Sequence, residues 1–260
     1  MKRPKFLLVG CGVMGSALKQ GWERENAPFD VVVIEPSNPQ YIPDLASLPE
    51  DFRPNLIIFA VKPQILPEIL PHYRRFSGRG CLFLSIAAGL TLSTYHRLLG
   101  EEESIIRAMP NIPVTVGQGI SVLVTHKSLT EEQRALGQSI FEASGKAIWL
   151  EQEALMDVVT AVSGSGPAYC FRLVECLAAA GVESGLPREV ALTLARQTAI
   201  GAGAILQNTS DSASDLRIKV TSPGGTTAAA LEVFDHGHVL EKLTLTAVKA
   251  AVHRGQELSQ

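Results

Sequence analysis

At 260 residues the chain has room for nearly two domains of about 150 residues each. Hydrophobic residues make up 46% and charged residues 19%, which excludes disordered, collagen-like and coiled-coil classes. The net charge of −3 leaves no basic excess to grip phosphate backbones, so no nucleic-acid partner is expected.

Residues 5–9 predict a strand, 14–24 a helix, 31–34 a β-branched strand and 56–61 another strand. A helix near 64–76, a strand over 81–86, a helix over 91–99 and a strand over 104–109 continue the rhythm. Apolar strands alternating with helices indicate a parallel sheet covered on both faces. The connection from Glu35 to Asn55 departs from this. Its prolines at 36, 39, 43, 49 and 54 each remove an amide donor and fix φ, so a loop with at most one helical turn is expected. Strands over 120–124 and 147–150 flank a helix near 131–143, which Thr130 can cap and Gln133 can complete as a capping box.

After about residue 151 the pattern is helical, over 155–162, 168–184, 188–206, 227–234 and 239–258. Pro167, Gly185-Leu186-Pro187 and Ser222-Pro223-Gly224-Gly225 punctuate these segments. The 188–206 segment is apolar or small nearly all round, and such a helix must be buried on more than one side. In so short a helical half the simplest cover is a second subunit, so a homodimer or larger is expected. Cys11, Cys81, Cys170 and Cys176 are scattered and form no CxxC, which speaks against a disulfide framework or zinc site and for a reducing compartment. The apolar run behind the basic N-terminus covers only 6–9, too short for a signal peptide, and no run approaches the roughly 18 residues of a membrane span. A soluble cytoplasmic protein with no membrane partner is expected.

Gly10-Cys11-Gly12-Val13-Met14-Gly15 follows the first strand and opens the first helix. In that context GxGxxG is a dinucleotide-binding turn. Gly10 permits the tight turn, Gly12 lets the backbone approach a pyrophosphate, and Gly15 permits close helix–strand packing. Glu35 ends the second strand twenty positions beyond Gly15. An acidic side chain there bonds a ribose 2′-hydroxyl and repels a 2′-phosphate, which argues for NAD(H). Ser37 and the proline-rich loop could still accommodate a phosphate, so both NADH and NADPH stay open. Ala60-Val61-Lys62-Pro63 ends the third strand and Ala87-Ala88 follows the fourth. Ligands bind at such carboxyl ends. Lys62 would point into the crevice, and the small residues Ala87 and Ala88 would let a nicotinamide or ribose lie against the backbone.

Two hydroxyl-bearing glycine turns precede apolar helices in the second half, Ser163-Gly164-Ser165-Gly166-Pro167 and Thr221-Ser222-Pro223-Gly224-Gly225-Thr226-Thr227. Helix starts of this kind offer unpaired amides and suit a carboxylate. No histidine sits in a motif turn, and HExxH, GxSxG and Walker lysine motifs are missing from the sequence, so no metal site is expected. Hydride chemistry without a strong general acid suits a substrate that is already electrophilic, such as a protonated imine.

GCGVMG at 10–15, AVKPQ at 60–64, RAMPN at 107–111, SGSGPAY at 163–169 and VTSPGGTTAAAL at 220–231 together resemble the Δ1-pyrroline-5-carboxylate reductase family, in the right order over nearly the whole chain. The resemblance implies an α/β Rossmann-type N-terminal domain over 1–151, with a mostly parallel sheet. An all-helical dimerisation and substrate-binding domain would follow over 152–260. It further implies NAD(P)H-dependent reduction of 1-pyrroline-5-carboxylate to L-proline, the last step of proline biosynthesis, and dimers that can assemble into a decamer. Carried over by motif, Gly10 to Gly15, Ala60, Val61, Lys62, Pro63, Ala87 and Ala88 would hold the cofactor, with Glu35 and Ser37 at its ribose. Glu153, Ser163, Gly225, Thr226 and Thr227 would bind the substrate, and Thr227 would orient the imine and relay its proton. Glu153 matches an acidic position near nicotinamide and substrate. Lys219, ahead of the second turn, and Glu35 depart from the family's usual residues. Two alternatives share part of this pattern. A β-hydroxyacid dehydrogenase shares GxGxMG but carries a catalytic lysine after its glycine loop, and residues 168–174 contain none. A non-catalytic NAD(P)-binding regulatory protein would need the first turn and not SPGGTT.

Overall fold

A computed structural model describes residues 3–258. The chain divides into two compact units. One runs to Ser165 and takes in the chain from Ala251 onward, and the other is Gly166–Ala250.

Among the described residues the first unit holds seven strands: β1 (Lys5–Val9), β2 (Asp30–Ile34), β3 (Leu56–Phe59), β4 (Leu82–Ser85), β5 (Ile105–Met109), β6 (Gly119–Val124) and β7 (Gly145–Trp149). They form one sheet in the order β2-β1-β3-β4-β5-β6-β7. Every pairing is parallel except β5 with β6, where Arg107 lies opposite Val124. Alternate residues of each central strand feed separate cores. Leu7, Val9, Ile57, Phe59 and Phe83 belong to one, and Phe6, Leu8, Ile58, Leu82 and Leu84 to the other. Continuous apolar runs such as Leu56-Ile57-Ile58-Phe59 are what a strand buried on both faces requires.

Helices α1 (Val13–Arg24), α2 (Leu66–Tyr73), α3 (Leu92–Leu99) and α4 (Glu131–Glu142) cover the sheet. The proline-rich connection after β2 holds a single 3-10 turn, Leu45–Ser47, as the sequence requires. The third strand stops at Phe59, two residues short of the expected 61. Ala60 still donates to Val9, but Val61 then turns out of the sheet plane toward Pro63. The helix expected near 64–76 is a short α2 between two 3-10 turns, Pro63–Ile65 and Arg74–Phe76, because prolines at 67 and 71 limit its hydrogen bonding. The capping box on α4 is present in both halves: Gln133 N–H donates to Thr130 Oγ1 at 3.1 Å, and Thr130 N–H donates to Gln133 Oε1 at 3.1 Å.

The helix expected over 155–162 is not continuous. A 3-10 turn, Glu153–Leu155, leads into α5 (Met156–Val159), then a π-helical turn, Thr160–Gly164. Helices α6 (Gly166–Glu183), α7 (Arg188–Gln207), α8 (Ala213–Lys219) and α9 (Thr226–Asp235) make up the second unit with most of α10 (Val239–Leu258). Helix α8 lies where the apolar pattern predicts none, although Ser212 and Asp215 form its capping box. Only Ala191 and Ala195 of α7 are buried, and Phe171, Leu173 and Ile200 are 63%, 53% and 54% exposed. The apolar surface expected to need cover is thus open on the single chain. The last turns of α10 return to the first unit, where a Cβ at Gly255 would lie 3.2 Å from the Asp157 carboxylate.

Candidate functional site

The sheet order reverses at β1, with β2 on one side and β3 on the other. Ligands of open α/β sheets bind at the carboxyl ends of strands at such a switch point. Gly10 follows β1 there and Ala60 follows β3. The Gly10 amide donates to the Ile34 carbonyl at 2.8 Å, tying the end of β1 to the end of β2. Its φ is +91°, and a Cβ on it would stand 2.6 Å from Val61 Cγ1 and 2.8 Å from the Ala60 carbonyl oxygen. Backbone conformation and space both demand glycine. A Cβ on Gly15 would stand 2.6 Å from the Gly10 carbonyl oxygen, so α1 lies directly against the turn. Gly10→Ala is expected to lower stability by at least about 2 kcal/mol and to remove tight nucleotide binding. Thermal melting and a nucleotide titration check this, and wild-type values for both would show that the turn tolerates a side chain.

Gly12 differs from both. Nothing lies within 4 Å of a Cβ built on it, and it is the N-cap of α1 without a side-chain cap. The first-turn amides of α1 therefore have no cap partner and open outward, which suits a pyrophosphate. Beside them lies a cavity of about 970 Å³ lined by Gly10, Gly12, Glu35, Ser37, Ala60, Val61 and Lys62, and farther out by Leu45, Ile69, His72, Tyr73 and Arg75. Its size and its mix of apolar wall with a few polar groups fit a dinucleotide. Cys11, Val13, Met14, Gly15, Pro63, Ala87 and Ala88 do not line it. Met14 packs partly buried against the core, Pro63 begins the 3-10 turn, Ala87 is buried and Ala88 exposed.

Glu35 is held on both oxygens. Oε2 accepts from the Cys11 N–H at 2.8 Å, and Oε1 accepts from the Ser37 hydroxyl at 2.6 Å and the Ser37 N–H at 3.2 Å. The Ser37 hydroxyl, followed by the Cys11 amide, holds this carboxyl below the ordinary carboxylate range. Burial pushes the Cys11 thiol upward, which disfavours its thiolate.

A second polar cluster lies at β5. Arg107 Nη1 meets Glu153 Oε1 at 3.0 Å, and the two side chains are 7% and 12% exposed. The same Glu153 oxygen accepts from the Leu92 N–H at 2.7 Å, at the start of α3, while His126 Nε2 lies 3.0 Å from Oε2. Glu153 is thus committed to its own unit through both oxygens. Ser85 and Tyr95 share a buried hydrogen bond of 2.6 Å beside this pair, and burial pushes the Tyr95 phenol up to about 12. Ser163 lies in the π-helical turn and its hydroxyl donates to the Val159 carbonyl at 2.9 Å. Its own carbonyl accepts from Asn111 Nδ2 at 3.1 Å, and Asn111 Oδ1 accepts from the Ile120 N–H at 2.9 Å. A Cβ on Gly164 would come 2.8 Å from Met109 Cε, so this turn is closed against the end of β5.

Arg107, Asn111 and His126 received no role from the sequence. One signal was there: an arginine between Ile106 and Ala108 in an apolar strand needs a buried partner.

In the second unit, Gly225 is the extended N-cap of α9 and its side has no cap hydrogen bond. Gly224 takes φ +69°, which bends the chain so that the Gly225 amide donates to the Ser222 carbonyl at 3.0 Å. Thr226 and Thr227 are exposed on the first turn, beside uncapped amides. Lys219 does not reach over this turn, because its amine is paired with Asp211 at 2.5 Å. Among the described residues no group of three or more His, Cys, Asp or Glu is placed to hold a metal ion, and no helix is long and apolar enough to cross a membrane.

The family model described as pyrroline-5-carboxylate reductase dimerisation matches residues 153–258. The pyrroline-5-carboxylate reductase of Pisum sativum is 36% identical over 261 residues, which is 96% of this chain and 94% of the relative. A pyrroline-5-carboxylate reductase structure from Coxiella burnetii matches with a TM-score of 0.90 at 32% identity, covering 100% of both chains. A Plasmodium falciparum pyrroline carboxylate reductase solved with NADP bound matches with a TM-score of 0.82 at 28% identity, again over 100% of both chains.

Proposed function

The chain belongs to the pyrroline-5-carboxylate reductase family, and from that premise we propose how its residues divide the work of reducing 1-pyrroline-5-carboxylate to L-proline. The cofactor is NAD(P)H, and when bound it supplies the hydride that saturates the C=N bond. The carrying observation is the uncapped glycine turn at the β1–β3 switch point, in a chain whose likeness to these reductases runs its full length.

The dinucleotide-binding role falls to residues 1–151 and the dimerisation and substrate role to 152–260, although residues 152–165 and those from Ala251 pack with the first unit. Gly10 to Gly15 hold the pyrophosphate with α1 amides, Glu35 and Ser37 stand at the ribose, and Ala60, Val61 and Lys62 border the rest of the cavity, while Pro63, Ala87 and Ala88 lie outside its lining. Gly225, Thr226 and Thr227 take the substrate carboxylate on the first-turn amides of α9, supported by the positive helix end. The Thr227 hydroxyl orients the ring nitrogen and relays its proton. Ser163, whose carbonyl is held by Asn111, is the substrate contact proposed on the first unit. Glu153 is a positioning residue: it fixes the start of α3 and neutralises Arg107. A protonated imine is already electrophilic, so orientation of the reacting atoms supplies most of the rate.

The open apolar faces of α6 and α7 are covered by a second copy of the chain, consistent with the dimerisation family that matches this half. Assembly of dimers into a decamer and a cytoplasmic location are part of the same proposal; unpaired cysteines suit a reducing compartment. Oxidation of NAD(P)H by the purified chain should require 1-pyrroline-5-carboxylate, followed by loss of nicotinamide absorbance with proline as product. A chain that binds the nucleotide but shows no imine-dependent oxidation would favour the regulatory alternative, and turnover of β-hydroxyacids would favour the dehydrogenase.

A further inference from the structure

The rim of the nucleotide cavity carries one anchored charge at the end of β2, and its chemistry separates the two coenzymes. Glu35 is held at both oxygens, by the Cys11 N–H on one and by the Ser37 N–H and hydroxyl on the other. Its backbone is fixed as well: its N–H donates to the Ile42 carbonyl at 3.0 Å and its carbonyl accepts from the Asn38 N–H at 3.1 Å. Pro36 follows, with a restricted φ. The carboxylate therefore cannot swing away from a ligand without losing three hydrogen bonds. Among the described residues no lysine or arginine pairs with it.

A carboxylate offers about four acceptor sites, and Oε2 uses one of its own on Cys11, so an acceptor site is left for an incoming donor. A ribose 2′-hydroxyl is such a donor. A 2′-phosphate offers only acceptor oxygens and negative charge. The Ser37 hydroxyl, the nearest neutral group that could serve a phosphate, is spent on Glu35. The basic side chains that share the cavity, Lys62, His72 and Arg75, belong to the 3-10 turn and α2 side, and Arg75 stacks 4.8 Å over the Phe76 ring.

We propose that Glu35, locked onto the glycine turn by Cys11 and Ser37, makes this chain selective for NADH over NADPH. This rests on the reductase reading of the same cavity and narrows it to one coenzyme. The test is calorimetric titration of the full-length chain with NADH, NADPH, 5′-AMP and 2′,5′-ADP. The last two probe the ribose site with no hydride chemistry. NADH should bind about 100-fold tighter than NADPH, and 5′-AMP should beat 2′,5′-ADP in the same sense. Glu35→Gln keeps size and one acceptor and removes the charge, and it should narrow the NADH:NADPH ratio to about tenfold or less. Glu35→Ser should bring the two coenzymes level. Equal or tighter NADPH binding by the wild type overturns the proposal, as does an unchanged ratio in a folded Glu35→Gln or Glu35→Ser chain. A wild type that reduces the imine while preferring NADPH overturns the coenzyme selectivity alone. One that binds NADH selectively but leaves the imine untouched supports the selectivity and overturns the reductase reading.

Discussion

Thr227→Ala is expected to lower turnover by about ten- to a hundredfold, the loss of one hydrogen bond that orients the reacting nitrogen. Thr227 is exposed on the first turn of α9, and its hydroxyl has no partner role in the fold that would confound the result. Stability should therefore stay within about 0.5 kcal/mol of wild type, as for other surface substitutions. Cofactor affinity should also be unchanged, because the glycine turn lies in the other unit. Thr227→Ser keeps the hydroxyl and should recover most of the rate. Steady-state kinetics with a parallel nucleotide titration reads all three quantities. Wild-type turnover in Thr227→Ala would take this hydroxyl out of the mechanism.

The other large effect concerns stability. Glu153→Ala leaves Arg107 charged and 7% exposed within the sheet, with its carboxylate partner gone. Breaking a buried pair from one side costs about 3 kcal/mol or more, far beyond the value of a surface pair. For a chain of this size that is a fall in Tm of about 10 °C. The Leu92 amide at the head of α3 loses its acceptor in the same change. Replacing both members, Glu153→Ala with Arg107→Met, should restore most of the loss, since an apolar strand position then holds an apolar residue. If the double variant melts no higher than Glu153→Ala, the pair is not the source of the effect.

These two sites also mark what the sequence could and could not convey. The phosphate turn was legible because its requirements are local: a glycine with positive φ, a glycine facing open space and a helix start within six residues. The apolar runs of β1, β3 and β4 were legible because burial on both faces leaves no polar position. The Arg107–Glu153 pair spans 46 positions, and no periodicity links residues so far apart. Glu153 was open to two readings, a substrate contact or a charge at a helix start, and its bonds to Leu92, Arg107 and His126 lie beyond any local pattern. The π-helical turn straddles the helix expected to 162 and the glycine turn expected from Ser163, because nothing local in Thr160 to Gly164 marks the wider turn that closes against Met109. Helix α8 was passed over because seven residues carry too few apolar repeats, although its Ser212–Asp215 box was present in the sequence. The reversed direction of β6 depended on the 3-10 turn at Ile112–Val116, whose single proline, Pro113, marks a bend without fixing its direction.

The return of α10 to the first unit has a consequence for how the protein is made. That unit is interrupted in the sequence: the chain leaves it after Ser165 and rejoins it at Ala251. A ribosome releases the N-terminal sheet early, and domains generally fold as units from the N-terminus during synthesis. Here the nascent sheet must wait, with the surface around Asp157 lacking a piece, until the residues from Ala251 onward have been made. The stretches before Gly166 and after Ala250 then fold into one body, so the helical segment between them behaves as a guest inserted into a host.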